Sequence, residues 1–210
     1  MIELLFIRHG ATAGNLEKRY IGVTDEPLCP EGIAQMEALK KELEREEYEP
    51  ELVFASPMLR TRQSCGILFP GRRCMAMEDY CEAVEADCPG VKDRYAVVGD
   101  FRETDFGIFE GKTAGELCFD KEYQAWLDTM CTAPIPQGES VAEFKARCVR
   151  AFDGVVRRIP DGSRAAFVVH GGTIMAILEA FALPPRAFYD SHIGNGECIS
   201  CSYNEGHLYL

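Results

Sequence analysis

An α/β fold with a mostly parallel central sheet is predicted by three features of the sequence. The apolar runs at 4–7, 52–55 and 165–169 have the length and continuity of strands buried on both faces. Segments with helical apolar spacing alternate with them. The first and third runs also end alike, in Arg8-His9-Gly10 and His170-Gly171-Gly172. Such strand ends collect polar groups at the carboxyl edge of the sheet, where open α/β sheets bind their ligands.

The strand over 4–7 stops at Arg8, and residues 10–30 form a loop rich in Gly, Thr, Asn and Asp, long enough to serve a function. A helix starts near Pro30, a residue suited to the first turn. Ile33, Met36, Leu39 and Leu43 form its apolar stripe, and the charged run from Glu37 to Glu47 its solvent face. After the strand over 52–55, Ser56-Pro57 reads as N-cap and first residue of a helix over 57–68. Arg60 then lies in the first turn, at the same edge as His9 where the two strands are parallel, and Arg62 faces elsewhere. Residues 74–77 form a short strand. The acidic stretch 78–100 is expected as a surface excursion, either a lid or an ordinary loop.

Thr113 and Glu116 have the spacing of a capping box, opening a helix that carries Tyr123, Trp126 and Leu127. Ser140 and Glu143 form a second box, before a helix with Phe144, Cys148, Phe152 and Val156 on one face. After the strand over 165–169, Ile174, Ile177, Leu178 and Phe181 mark another helix. Strands near 198–203 and 207–210 close the chain around Asn204-Glu205-Gly206. A single domain over 1–210 accommodates these elements.

With 47% hydrophobic and 27% charged residues, the chain has the balance of a soluble domain. Its net charge of -12 disfavours nucleic acid and anionic membrane as partners, so an anionic substrate must be drawn by local positive charge. Met1-Ile2-Glu3-Leu4 lacks the basic start of a targeting segment, and a cytoplasmic location is expected. The ten cysteines are scattered singly and read as reduced thiols filling the core. Cys198 and Cys201 have no second pair to complete a zinc site.

Two histidines at matching strand ends, with Arg8 adjacent and Arg60 at a third strand end, do not read as packing. Arginines present forked donors to phosphate oxygens. The glycine after each histidine lets backbone approach an anion closely, and the helix after His170 aims its N-terminus at the same edge. An anion pocket containing imidazoles points to phosphoryl transfer through histidine.

Leu4, Phe6-Ile7-Arg8-His9-Gly10-Ala11-Thr12 and Asn15 open a series of motifs. Ser56-Pro57-Met58-Leu59-Arg60-Thr61, Arg102-Glu103 with Phe106-Gly107 and Glu110-Gly111, Gly138-Glu139-Ser140 and Val168-Val169-His170-Gly171-Gly172 continue it. In this order they resemble the histidine phosphatase superfamily, the phosphoglycerate mutase-like proteins, over nearly the whole chain. The resemblance implies a three-layer α/β/α sandwich. It implies that His9 is the nucleophile and becomes phosphohistidine, while Arg8, Arg60 and His170 surround the phosphoryl oxygens. Glu103 would serve as general acid for the leaving oxygen and then as base for water. Thr12, Asn15, Ile21, Gly22 and the Gly171 amide would hold the substrate. No metal or cofactor is implied, and the partner is a small phosphorylated metabolite; a homodimer is compatible with this. Cys29 stands where family members often carry threonine or serine before the first helix.

The stretch between Glu103 and His170 looks short, as in family phosphatases. The implied activity is therefore hydrolysis of a phosphomonoester, with α-ribazole 5′-phosphate as a specific case. A 2,3-bisphosphoglycerate-dependent phosphoglycerate mutase is the alternative, and a non-catalytic phosphate-binding module the third reading.

Overall fold

The computed structural model describes residues 1–86, 88 and 90–210. In chain order its elements are β1 (Ile2–Arg8), α1 (Ala13–Leu16), α2 (Pro30–Arg45), β2 (Leu52–Ala55), α3 (Leu59–Leu68), β3 (Arg73–Ala76) and α4 (Met77–Glu85). There follow β4 (Arg94–Val97), α5 (Lys121–Asp128), α6 (Val141–Val156), β5 (Arg164–Val169), α7 (Gly171–Phe181), β6 (Cys198–Asn204) and β7 (His207–Tyr209). The strands form one sheet in the order β3-β4-β2-β5-β1-β6-β7. The first five in that order are parallel, β6 pairs antiparallel with β1, and β7 antiparallel with β6.

Alternation along the central strands builds the two interfaces of a three-layer sandwich. Leu4, Phe6, Leu52, Phe54, Ala165 and Phe167 point to the face covered by α4, α6 and α7. Leu5, Ile7, Val53, Ala55, Ala166 and Val168 point to the face covered by α2 and α3. Both faces are buried, which is why these strands read as unbroken apolar runs. Phe167 is the aromatic hub, with ring centroids of Phe6, Phe54 and Phe152 at 5.2, 5.1 and 5.5 Å. Truncating such a buried ring to alanine costs about 3–5 kcal/mol.

The structure corrects several expectations. The stretch 78–100 is not simply a surface excursion: its start belongs to α4, whose Tyr80 is fully buried, and its end contains β4, paired between β2 and β3. Positions 87 and 89 lie outside the described residues. Helix α3 begins at Leu59 with Met58 as its cap residue, and Ser56 does not cap it. Thr113 and Glu116 do exchange capping-box hydrogen bonds, but these close a turn, and α5 starts later behind an Asp120 cap. The Ser140–Glu143 box does open α6. Ile33 is 41% exposed; Gly32 takes its place in the interface, packed against the backbone of Ala11. Of the ten cysteines only Cys65, Cys148 and Cys201 are buried.

Adjacent strands β1 and β5 send their following helices to opposite faces, α2 to one and α7 to the other. That divergence opens a crevice at their carboxyl ends, the switch point of a doubly wound sheet.

Candidate active site

Strands β1 and β5 pair in register with Arg8 opposite Val169, so His9 and His170 are the next residues along neighbouring parallel strands. The His9 amide donates to the Val169 carbonyl at 3.1 Å. Register alone therefore brings together two rings 161 positions apart in sequence, with centroids 5.0 Å apart and planes at 69°.

Both imidazoles are buried, at 3% and 0% exposure. His9 Nδ1 lies 2.7 Å from the Gly10 carbonyl oxygen. A carbonyl only accepts, so Nδ1 carries the proton and Nε2 keeps its lone pair. Burial pulls the His9 pKa down to about 3; the Arg60 and Arg8 charges push the same way, against the Gly10 hydrogen bond. His170 is likewise held well below the usual imidazole range by burial, then by Arg60 and His9. Its Nε2 lies 2.6 Å from Ser56 Oγ, and its Nδ1 has no partner in the protein. Ser56 ends β2 as His9 and His170 end their strands. Its role as a ring anchor, in place of the expected helix cap, was invisible without the pairing of β2 with β5.

Two guanidiniums supply the positive charge. Arg60 is 1% exposed and is suspended by bonds from Nη1 and Nη2 to the carbonyls of Thr24 and Gly22, each 2.9 Å. Arg8 Nη1 donates to the Ile193 carbonyl at 2.6 Å and lies 3.5 Å from His192 Nε2, while its buried Nε has no partner. Burial lowers both arginine pKa values, with the Glu103 charge the largest opposing influence. The two glycines after His170 leave room for side chains of the site. A Cβ at Gly171 would meet Arg8 Cζ at 3.3 Å, and one at Gly172 would collide with the Glu103 carboxylate.

Glu103 reaches the N-terminus of α7, where Oε2 accepts from the Gly172 amide at 3.2 Å and Oε1 from the Thr104 amide at 2.9 Å. Its backbone is held by Arg147, a residue that sequence reasoning missed. Arg147 Nε and Nη2 form a forked pair with Glu139, both bonds 2.7 Å, with the arginine side chain 5% exposed. The same guanidinium donates to the carbonyls of Asp100, Arg102 and Glu103 at 2.7, 2.7 and 2.9 Å. One buried cation thus fixes the segment that presents the carboxylate. In the sequence Arg147 is one charged residue among several on a helical segment, and nothing local marks it.

The expected substrate-holding residues divide. Gly171 stands at the first turn of α7 beside Arg8. Asn15 is half-buried; its Oδ1 accepts from the Thr12 amide and from Asn195 Nδ2, each at 3.2 Å. Asn195, also missed, donates to the His9 carbonyl at 3.1 Å and so links the first loop to the strand end. Thr12 is fully buried, with its hydroxyl accepting from the Asn15 amide as the cap of α1. Ile21 is buried against Gly14. Gly22 donates its amide to Glu110 Oε1 at 2.8 Å and gives its carbonyl to Arg60. A Cβ there would collide with the Thr104 carbonyl, so only glycine fits. Thr12 and Gly22 thus have these groups engaged with protein, supporting Asn15 and Arg60.

Arg8, Glu103, Gly171, Gly172 and His192 also line a cavity of about 370 Å³. Among the described residues, four buried side-chain polar atoms lack a partner: Arg8 Nε, His170 Nδ1, Trp126 Nε1 and Ser191 Oγ. Arg8 and Trp126 line this cavity, and His170 precedes its lining residue Gly171 in the chain. Buried polar atoms are almost always hydrogen-bonded in folded proteins, and two of these four residues, Arg8 and His170, belong to the strand ends described above. No group of three or more His, Cys, Asp or Glu that could hold a metal occurs among the described residues.

Known proteins resemble the chain over most or all of its length. A 2,3-bisphosphoglycerate-dependent phosphoglycerate mutase of Methylobacterium radiotolerans is 24% identical over 179 residues, covering 83% of this chain and 76% of its own length. The crystal structure of a phosphoglycerate mutase from Thermus thermophilus superposes with a TM-score of 0.68 at 25% identity, covering 99% of this chain and 96% of the other. The alpha-ribazole phosphatase of Shigella flexneri has the same fold, with a TM-score of 0.78 at 20% identity, covering 99% and 94%. The family model for the histidine phosphatase superfamily (branch 1) matches residues 4–88 and 81–210. Spanning the chain from its first strand to its last residue, that match establishes that the protein belongs to the histidine phosphatase superfamily.

Proposed function

We propose that the protein is a phosphomonoesterase that hydrolyses a small phosphorylated metabolite through a phosphohistidine at His9. The observation that carries this reading is the state of His9: neutral, proton fixed on Nδ1 by the Gly10 carbonyl, and flanked by Arg8 and Arg60. A neutral imidazole with a free Nε2 lone pair is a nucleophile without prior deprotonation. In the first step Nε2 attacks phosphorus and the ester P–O bond breaks, with Glu103 giving a proton to the leaving oxygen. In the second, water attacks phosphorus, Glu103 takes its proton, the N–P bond breaks and inorganic phosphate leaves. The guanidiniums oppose the charge that develops on the equatorial oxygens, the usual dominant contribution in phosphoryl transfer. With the Ser56 hydroxyl donating to Nε2, His170 carries its proton on Nδ1 and offers it to the same oxygens. Asn15 and the Gly171 amide complete the anion's surroundings.

The compact stretch between Glu103 and His170 supports a phosphatase over a mutase, and α-ribazole 5′-phosphate is a specific candidate. A 2,3-bisphosphoglycerate-dependent mutase is the second reading, favoured by the relative of that name. A cytoplasmic location fits both; no helix among the described residues is long and apolar enough to cross a membrane. Hydrolysis of p-nitrophenyl phosphate is measured beside isomerisation of 3-phosphoglycerate. Hydrolysis with an acid-labile, base-stable phosphate label that His9→Ala abolishes is expected. Robust isomerisation with little hydrolysis would select the mutase, and absence of label in folded wild-type protein would leave a phosphate-binding module.

A further inference from the structure

Arg60 hangs from a loop, and that loop is itself held from outside. The guanidinium donates to the carbonyls of Gly22 and Thr24. The amides of the same two residues donate to one carboxylate oxygen, Glu110 Oε1, at 2.8 and 2.9 Å. The other oxygen, Oε2, accepts from the Phe106 amide at 3.3 Å. Farther along the loop, Asp25 Oδ1 accepts from the Leu59 amide at 2.5 Å, at the start of α3, the helix that carries Arg60. Gln63 Oε1, from the same helix, accepts from the Leu28 amide at 2.7 Å. Residues 22–28 therefore bridge Glu110 and α3, and Arg60 is suspended from that bridge.

We propose that Glu110 is a positioning residue of the phosphoryl site that acts through Arg60: its carboxylate fixes the two residues whose carbonyls aim the guanidinium. This deepens the phosphomonoesterase reading and rests on it for turnover. A guanidinium carries five N–H donors in one rigid plane, so the two spent on Gly22 and Thr24 set the direction of the others. Val23, Thr24 and Asp25 are exposed, so side-chain packing does little to fix that stretch. Amide bonds to an ionised carboxylate are among the stronger hydrogen bonds and can fix it instead. The charge of Glu110 also reaches the buried cation. Burial lowers the Arg60 pKa, and Glu110 follows Glu103 and Asp25 among the charges that oppose this.

Glu110→Ala removes the acceptor of all three amides. Glu110→Gln keeps the size and one acceptor oxygen, and so protects the fold while facing one amide with a second donor. With p-nitrophenyl phosphate, kcat/KM is expected to fall about 20-fold in Glu110→Ala and about fivefold in Glu110→Gln, since a small misplacement of a charge-stabilising group is costly. Circular dichroism and urea midpoints establish that each protein is folded under assay conditions. Arg60 is needed whichever alcohol leaves, so ethyl phosphate should show the same loss to within roughly twofold. In an Arg60→Ala background, Glu110→Ala should cost no more than about twofold further, because no guanidinium is left to aim.

A further loss in the Arg60→Ala background as large as in wild type would confine Glu110 to folding and overturn the proposal. Wild-type kcat/KM in folded Glu110→Ala would do the same. Where the alanine variant does not fold, the cycle is run with Glu110→Gln and read in the same way. Binding of inorganic phosphate, followed by calorimetry, reports on Arg60 without turnover, and Glu110→Ala is expected to weaken it about fivefold. Failure of the phosphomonoesterase reading looks different: wild type hydrolyses no ester, while phosphate affinity still falls in Glu110→Ala.

Discussion

The ends of β1 and β5 are near copies in sequence and opposites in structure. Each is a buried strand followed by His-Gly, yet the two rings are anchored through different nitrogens. His9 is fixed through Nδ1 by its own neighbour's carbonyl, which leaves Nε2 as a lone pair. His170 is fixed through Nε2 by a serine from a third strand, which leaves Nδ1 as the ring atom without a partner. On the proposed reading, the first anchor leaves a nucleophile and the second a donor. The lesson is that a residue pattern locates an imidazole, while the partner of its second nitrogen decides its role.

The sharpest way to break this comparison is to remove each ring. His9→Ala is expected to lower kcat by at least ~10⁴-fold and abolish the phosphate label, because no other group replaces the attacking nitrogen. His170→Ala is expected to lose roughly 10²–10³-fold, in the range of a lost transition-state donor, and to remain labelled in rapid-quench experiments. Equal losses and loss of label in both proteins would show that the two ends are equivalent.

Arg147→Met tests whether positioning of Glu103 sets the asymmetry between attack and protonation. A fall in kcat of about 10–100-fold is expected, as for loss of an orienting partner elsewhere. It should be larger for alkyl than for p-nitrophenyl esters, since only the former need an acid. Stability should also drop by ~3–5 kcal/mol, because Glu139 is left buried and unpaired. A uniform kcat loss across leaving groups would confine Arg147 to folding.

Ser56→Ala leaves the His170 ring without its anchor. About a tenfold loss in kcat and ~1 kcal/mol in stability are expected, the ordinary worth of one buried hydrogen bond. The label at His9 should form as in wild type; an unchanged kcat would mean that packing alone orients His170.

The smallest effect is on stability against pH. His9 falls from an ordinary 6.5 to about 3 in the folded protein. Between those values the unfolded chain binds a proton that folded His9 refuses. Its contribution is therefore complete above 6.5 and is lost as pH falls toward 3. Urea midpoints of unliganded wild type and His9→Gln at about pH 7 and about pH 5 should show a shallower decline in the variant. Identical declines would mean that the ring is protonated in place.

Much of this site was legible because its chemistry sits where strands end. Arg8, His9 and His170 follow unbroken apolar runs, and Arg60 follows a third, so buried strands and their polar stops mark them together. Glu103 carried no such mark and was assigned only through the family resemblance. Ser56, Arg147 and Asn195 were missed because each matters through a partner distant in the chain: His170, the 100–103 carbonyls, and the His9 carbonyl with Asn15. The stretch 78–100 was misjudged for a related reason. Strand β4 is only four residues long, Arg94–Val97, and its place between β2 and β3 is a matter of pairing, not of local pattern.

The sequence by itself determined the alternation of buried strands and amphipathic helices, and the polar stops at the strand ends, because apolar periodicity is a local property of neighbouring residues. Tertiary structure alone decided which nitrogen of each histidine is free, which carbonyls hold the arginines, and which side chains line the cavity beside Arg8. Those outcomes depend on strand register and on contacts between residues far apart in the chain. No local pattern carries that information.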